Sequence, residues 1–222
     1  MSILGIDLSL NHSGFVELDE VIGTMCWWHF VSDTAGHTKR QRNCSFMPHK
    51  KEKGKTDREQ INAERLAWWQ IQLAWILHTR SPKYVGIEDY AIQAQSNSAY
   101  QIGELGGVAR LSAIEVGAHL RLIDPMTVKM FSAHMGNAEP ETVAQEVRTR
   151  WPETQIWDSL PDLPRIDLAC AYVVARMVFV ETKLRDGTML LKDLEHDKER
   201  AVFTRCTKAL PVSLLGRDWI TL

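Results

Sequence analysis

The chain has 222 residues, 45% hydrophobic and 24% charged, with a formal net charge of −2. That length buries a full core as one domain, and the near balance of charge excludes a simple polycation. Four scattered cysteines without a CxxC pair exclude a disulfide framework and point to a reducing compartment, the cytoplasm. The start MSILGIDLSL lacks the basic n-region of a signal peptide, and the longest apolar run, LACAYVVARMVFV, is broken by Arg176 and reads as a core helix, so no membrane is implied.

In chain order, residues 2–9, 12–19 and 23–31 alternate as strands, with tight links at 11–14 and 19–20, and predict an antiparallel meander. The next segment is polar and basic and reads as a long surface loop. Residues 33–58 hold eight Lys/Arg against Asp33, Glu52 and Asp57, a local charge of +5 that leaves −7 for the rest. Such asymmetry suits a local anionic partner, the alternative being a solvated face. Residues 59–80 place Leu66, Trp69, Leu73, Ile76 and Leu77 on one helical stripe, and KYVGIED (83–89) is a near-continuous apolar strand of the central parallel kind. A helix of small residues spans about 98–118, a strand 119–124, a short helix follows Pro125, and another helix covers 139–150. Pro152, Pro161 and Pro164 mark a loop before an apolar helix at about 165–184, and 185–222 reads as a C-terminal extension on a domain of residues 1–184. Three antiparallel strands followed by βαβ units make an α/β fold with a mixed five-stranded sheet flanked by helices.

Three acids occupy unusual places. Asp7 interrupts the first apolar strand, Glu88 ends the strand YVGIE, and Asp167 opens the last apolar helix beside its buried stripe. Burying an unpaired carboxylate is costly. If that helix crosses the sheet centre, the three converge where ligands gather in such sheets. Like charges that close repel, and Mg²⁺ or Mn²⁺ resolves the conflict with carboxylate oxygens. Two such ions activate water and stabilise the leaving oxygen of a phosphodiester. The bland alternative is three isolated caps or surface acids.

The order βββ-α-β with GID in the first strand resembles the RNase H-like nucleases, and more closely the RuvC-type Holliday-junction resolvases. The resemblance rests on ILGIDLSLNHSGF, YVGIEDYAIQAQSNSAYQIGELGGVARL, MTVKMF, AEPETVAQEVRTRW and IDLACAYVVA, and it covers residues 1 to about 180 in the family's motif order. It implies an RNase H-like fold and a crossover junction endonuclease cutting four-way DNA junctions by paired nicks with Mg²⁺, Mn²⁺ able to substitute. It makes Asp7, Glu88 and Asp167 metal ligands and Lys129 a basic residue near the scissile phosphate. Two departures stand out. The family usually carries two aspartates three residues apart on the last helix, and the position three before Asp167 is Pro164. The family's lysine at the start of the AE…V helix is replaced at Pro140. These leave two other readings open: a catalytically weak junction-binding protein, and a related nuclease of flaps, forks or RNA–DNA hybrids. The divergence also admits a viral source, with the host cytoplasm as its compartment.

Asp162 is the nearest acid upstream of Asp167. Five residues is the wrong spacing for one helix face, so Asp162 is either a fourth metal ligand brought in by a bend or a helix cap. In the basic segment, Lys39, Arg40, Arg42, Lys50, Lys51, Lys53 and Lys55 are candidate phosphate contacts. Tyr90 and Gln93, just after Glu88, stand in the loop that the family sends into the opened junction, where an aromatic stacks on an unpaired base; the alternative is an ordinary strand-to-helix loop. Cys26 and His29 fall on opposite faces of one strand, which argues against structural zinc with His37, Cys44 and His49. Gly103 and Gly107 share a helix face, and the resemblance implies a homodimer around that helix, a two-fold assembly for a two-fold junction. Trp68, Trp69 and Trp75 are read as core or dimer contacts.

Overall fold

The central strand β1 (Ser2–Asp7) is buried on both faces, with Ile3, Leu4 and Ile6 fully inside, because it lies in the middle of a mixed sheet ordered β4-β3-β2-β1-β5-β6. The computed structural model describes residues 1–20, 24–32, 43–47, 58–89, 97–204 and 213–221, without the side chains of 58 and 97–99. β2 (His12–Asp19) and β3 (Thr24–Val31) form the antiparallel meander with β1, while β5 (Tyr84–Glu88) and β6 (His119–Ile123) run parallel to it. Six helices accompany the sheet among the described residues: α1 (Arg58–Arg80), α2 (Asn97–Glu115), α3 (Pro125–Ala133), α4 (Pro140–Arg150), α5 (Asp162–Arg185) and α6 (Asp197–Thr204). None is long and apolar enough to cross a membrane.

The expectation of five strands is corrected to six. β4 (Cys44–Phe46) falls inside the segment read as an unbroken basic loop, and it pairs parallel with the outer side of β3. Its anchor is backbone hydrogen bonding, His29 N–H to Asn43 O at 3.0 Å and Met47 N–H to Val31 O at 2.9 Å. Three residues are too few to show a period-two pattern. The last helix also starts earlier than its prolines suggest. Pro161 precedes α5 and Pro164 sits buried in its first turn, where the backbone N–H groups have no intrahelical acceptor and proline removes nothing.

Two cores flank the sheet. On one face, Leu4, Ile6, Phe15, Val85 and Ile87 meet Trp69, Leu73 and Ile76 of α1 and Leu105 and Ala109 of α2. Trp75, by contrast, is exposed and packs edge-on against Trp28. On the other face α5 lies directly on the strands. The parallel register sets Ile3, Gly5 and Asp7 of β1 beside Tyr84, Gly86 and Glu88 of β5 on this side, since alternate residues share a face. Three glycines permit the approach. A Cβ on Gly5 would stand 2.1 Å from Ala171 O and 2.5 Å from Ala175 N, one on Gly14 2.4 Å from Asp167 O, and one on Gly86 2.7 Å from Val174 Cγ1.

The described part of residues 185–222 packs on the same core. Val202, Phe203 and Leu214 are buried with α5, and Ile220 bridges to Leu120 at the edge of β6. Arg121 of β6, buried, donates to both carboxylate oxygens of buried Glu181 and to the carbonyls of Arg217 and Asp218, so the ion pair also ties the terminal segment down.

The Gly5 contact gives a direct test. Gly5→Ala drives a methyl into helix backbone that cannot rotate aside, and it should cost about 3 kcal/mol, the upper end of ordinary overpacking. Urea denaturation measures this. A loss below about 0.5 kcal/mol would show that α5 does not rest on β1 as described.

Candidate active site

The carboxyl ends of β1 and β5 bring two acids side by side. Ile6 pairs with Ile87, so Asp7 and Glu88 are the next residues along two adjacent parallel strands, both directed toward α5. The first turns of α5 pass over this point because Gly14 admits the backbone of Asp167. Ligand atoms of Asp7, Glu88 and Cys170 lie within 4.8 Å of one another. Asp167, one helical turn before Cys170, is buried and close enough for its charge to act on both Asp7 and Glu88. Lys129 of α3, half-buried, adds a positive charge felt by Glu88 and Cys170. Asp7 and Glu88 therefore stand together, with Asp167 and Lys129 near enough for their charges to act on them.

Asp162 does not join them, and the fourth-ligand reading is corrected. It is 85% exposed, pairs with Arg165 one turn on, and lines a separate cleft with Glu141, Arg148 and Asp158. The capping alternative does not hold either: Pro161 precedes the helix and no side chain caps it. Five residues rotate a helix by well over a quarter-turn, and regular helix through 162–167 leaves no bend to undo that rotation. Lys39, Arg40, Arg42, Lys50, Lys51, Lys53, Lys55, Tyr90 and Gln93 lie outside the described residues.

Three residues were not picked out by sequence. His12 Nδ1 and His29 Nε2 each lie 2.7 Å from the same oxygen, Asp167 Oδ2. A carboxylate oxygen only accepts, so both rings donate. His29 is the strand partner of Gly14 and His12 stands two residues before that glycine, which puts both rings on the α5 face. Strand parity offered this signal, but only once the register was known. Cys170 is the third residue after Asp167, one helical turn on and on the same face of α5.

The electrostatics separate the acids. Burial, then the charges of Glu88 and Asp167, pushes Asp7 well above the ordinary carboxylate range. Burial raises Glu88 to about 7, opposed by Lys129 and helped by Asp124 and Asp167. For Asp167 burial also acts upward, but the hydrogen bonds and charges of His12 and His29 outweigh it and hold the carboxyl below its usual value. Cys170 is pushed well above an ordinary thiol by burial and by the three acids. This cluster fits a divalent cation. Glu88 Oε2 is buried without a hydrogen-bond partner among the described residues, and Asp7 and Glu88 oppose each other's ionisation. A bound ion supplies the missing partner and inverts the local charge logic.

With the geometry in place, comparison with known proteins is informative. No protein-family model matches the chain. The crossover junction endodeoxyribonuclease RuvC from two strains of Thermus thermophilus is 31% identical over 94 residues, which is 42% of this chain and 57% of the relative. The match thus spans little more than half the length of these curated relatives. The solved structure of Thermus thermophilus RuvC superposes with a TM-score of 0.52 at 24% identity, covering 85% of this chain and 98% of that one. The same protein in complex with a Holliday junction substrate superposes at 0.56 and 21% identity, covering 85% and 97%. This is the RuvC fold. The long α5 laid on the mixed sheet belongs to it.

The raised Glu88 makes stability depend on pH. In the fold Glu88 holds its proton up to about pH 7, against an ordinary value of 4.5. A carboxyl with a raised folded pKa contributes stability that is intact below the unfolded value and is lost as pH rises through the folded one. In chelator, the melting temperature of the wild type relative to Glu88→Gln should fall between pH 4.5 and 7. Divalent cation should recover that loss in the wild type and not in the variant. A difference that stays flat with pH would contradict the buried, partnerless carboxyl.

Proposed function

We propose that the chain is a divalent-metal-dependent endonuclease of the RuvC type that resolves four-way (Holliday) junctions by paired nicks. The observation that carries this reading is the pairing of Asp7 and Glu88 beneath α5, with Asp167 near enough for its charge to act on both, in a RuvC fold. The curated relative's name and the solved RuvC complex with a Holliday junction substrate support the choice of branched DNA. Asp7 and Glu88 hold the ion, with Asp167 beside them, and Mg²⁺ is the ion assigned to these hard oxygens, with Mn²⁺ able to substitute. The ion supplies charge neutralisation at the scissile phosphate and lowers the cost of ionising an attacking water.

The chain's own residues do the rest. His12 and His29 keep Asp167 ionised and fix one of its oxygens. Lys129 places a cation beside the acids, where a phosphodiester oxygen gains charge during hydrolysis. Reaction by this scheme leaves a 5′ phosphate and a 3′ hydroxyl. The basic residues Lys39, Arg40, Arg42, Lys50, Lys51, Lys53 and Lys55 are assigned to phosphates along the arms, and Tyr90 and Gln93 to the junction centre. A homodimer around α2 is supported by its exposed stripe: Tyr100 is 82% and Leu111 56% exposed, and a Cβ on Gly107 between them would meet nothing within 4 Å among the described residues. Its compartment is assigned as the cytoplasm, of a host if the source is viral.

Asp7→Asn tests the reading. It removes a ligand and a repelling charge together, so Mg²⁺-dependent nicking of a four-way junction should fall by at least about a thousandfold, while junction binding stays equal or tightens. Matched fork, flap, RNA–DNA hybrid and linear duplex substrates run alongside. Near wild-type nicking by the variant would remove the acid cluster from the mechanism. Wild-type binding to junctions without nicking would favour the catalytically weak architectural protein instead, and equal cutting of forks or hybrids the broader nuclease.

A further inference from the structure

Cys170 has an unusual setting for a half-buried thiol. A structural cysteine packs as a small apolar residue among apolar neighbours. Cys170 instead shares a space with two carboxylates, its Sγ within 4.8 Å of the ligand atoms of Asp7 and Glu88, and it feels the charges of Asp167 and Lys129 as well. It stands one helical turn beyond Asp167, so both side chains leave the same face of α5. Glu88 Oε2 in the same cluster is buried and lacks a hydrogen-bond partner among the described residues. The unfilled coordination is therefore aimed at a point that the thiol also faces.

We propose that Cys170 is a ligand of the metal site, making it a mixed oxygen and sulfur centre that ranks Zn²⁺ and Co²⁺ above Mg²⁺. The inference rests on the acid cluster being a metal site and adds the identity of one ligand and the class of ion preferred. Mg²⁺ demands near-octahedral oxygen coordination and gains little from sulfur, whereas thiolate favours the borderline and softer divalent ions. The ion present during proposed cleavage then follows from availability, and the site's intrinsic ranking from its ligands.

The test uses the full-length chain, stripped with chelator and titrated with Co²⁺, with absorbance reporting thiolate-to-metal charge transfer. The wild type should show that band saturating with one ion per chain. Cys170→Ser and Cys170→Ala, checked for unchanged thermal unfolding, should lose it and bind Co²⁺ and Zn²⁺ about tenfold or more weakly, with Mg²⁺ affinity nearly unmoved. Cys170→Asp should bind without the band and shift the Mg²⁺-to-Zn²⁺ preference toward Mg²⁺ by a similar factor. No band in the wild type, or a band of full size in both Cys170→Ser and Cys170→Ala, overturns the proposal. Asp7→Asn separates the two levels. If it weakens Co²⁺ and Mg²⁺ binding while the Cys170 variants match the wild type, only the thiol ligand is refuted. If Asp7→Asn binds every ion as tightly as the wild type, the acid cluster itself is not the metal site.

Discussion

The rest of the structure depends on one contact, the seating of α5 directly on the sheet through Gly5, Gly14 and Gly86. Any side chain at Gly5 or Gly14 meets helix backbone, so neither neighbour has a flexible end to swing away. The closeness of helix and sheet sets the position of Asp167 relative to Asp7 and Glu88, which are held by the strand register. A site built this way takes its precision from two rigid elements and owes little to loops. It also concentrates negative charge at a spot that the apolar core would otherwise fill, and the fold tolerates this only by keeping some of the acids protonated or by binding a cation.

The acids divide the work because their surroundings differ. Asp167 has two imidazole donors on one oxygen and stays ionised, while Asp7 and Glu88 are pushed upward by burial and by neighbouring carboxylates. Carboxylates with separated affinities for protons are a recurring basis for distinct roles in one site. Asp167 is held ionised by its two imidazole donors, and Asp7 and Glu88 would give up protons to hold a cation. The histidines come from β2 and β3, so the meander contributes to the site as well as to the sheet. Zinc had been set aside because Cys26 and His29 face opposite ways. They do: Cys26 accepts from Arg80 on the α1 side, and His29 turns to Asp167.

How much was legible follows from how local each signal is. Asp7 and Glu88 stood out because an acid in or at the end of an apolar strand breaks a short-range pattern, and Asp167 because it opens an apolar helix. The order of elements gave the sheet and the crossing helix. β4 escaped because three residues carry no period, and the early start of α5 because prolines that break a helix interior are harmless in its first turn. His12 and His29 reach Asp167 across 155 and 138 positions of sequence, so only the assembled register joins them. Asp162 failed as a ligand for the reason its spacing already gave, that five residues do not share a helix face. Cys170 carries no charge signal, because a thiol three residues beyond Asp167 reads as one more apolar position of the helix.

The central claim is that a divalent cation belongs where β1, β5 and α5 meet. Anomalous diffraction from crystals of the full-length chain grown with Mn²⁺ tests it most directly. The account predicts an anomalous peak in contact with carboxylate oxygens of both Asp7 and Glu88, beside Asp167. Ordered Mn²⁺ elsewhere on the protein with none between Asp7 and Glu88 would contradict it.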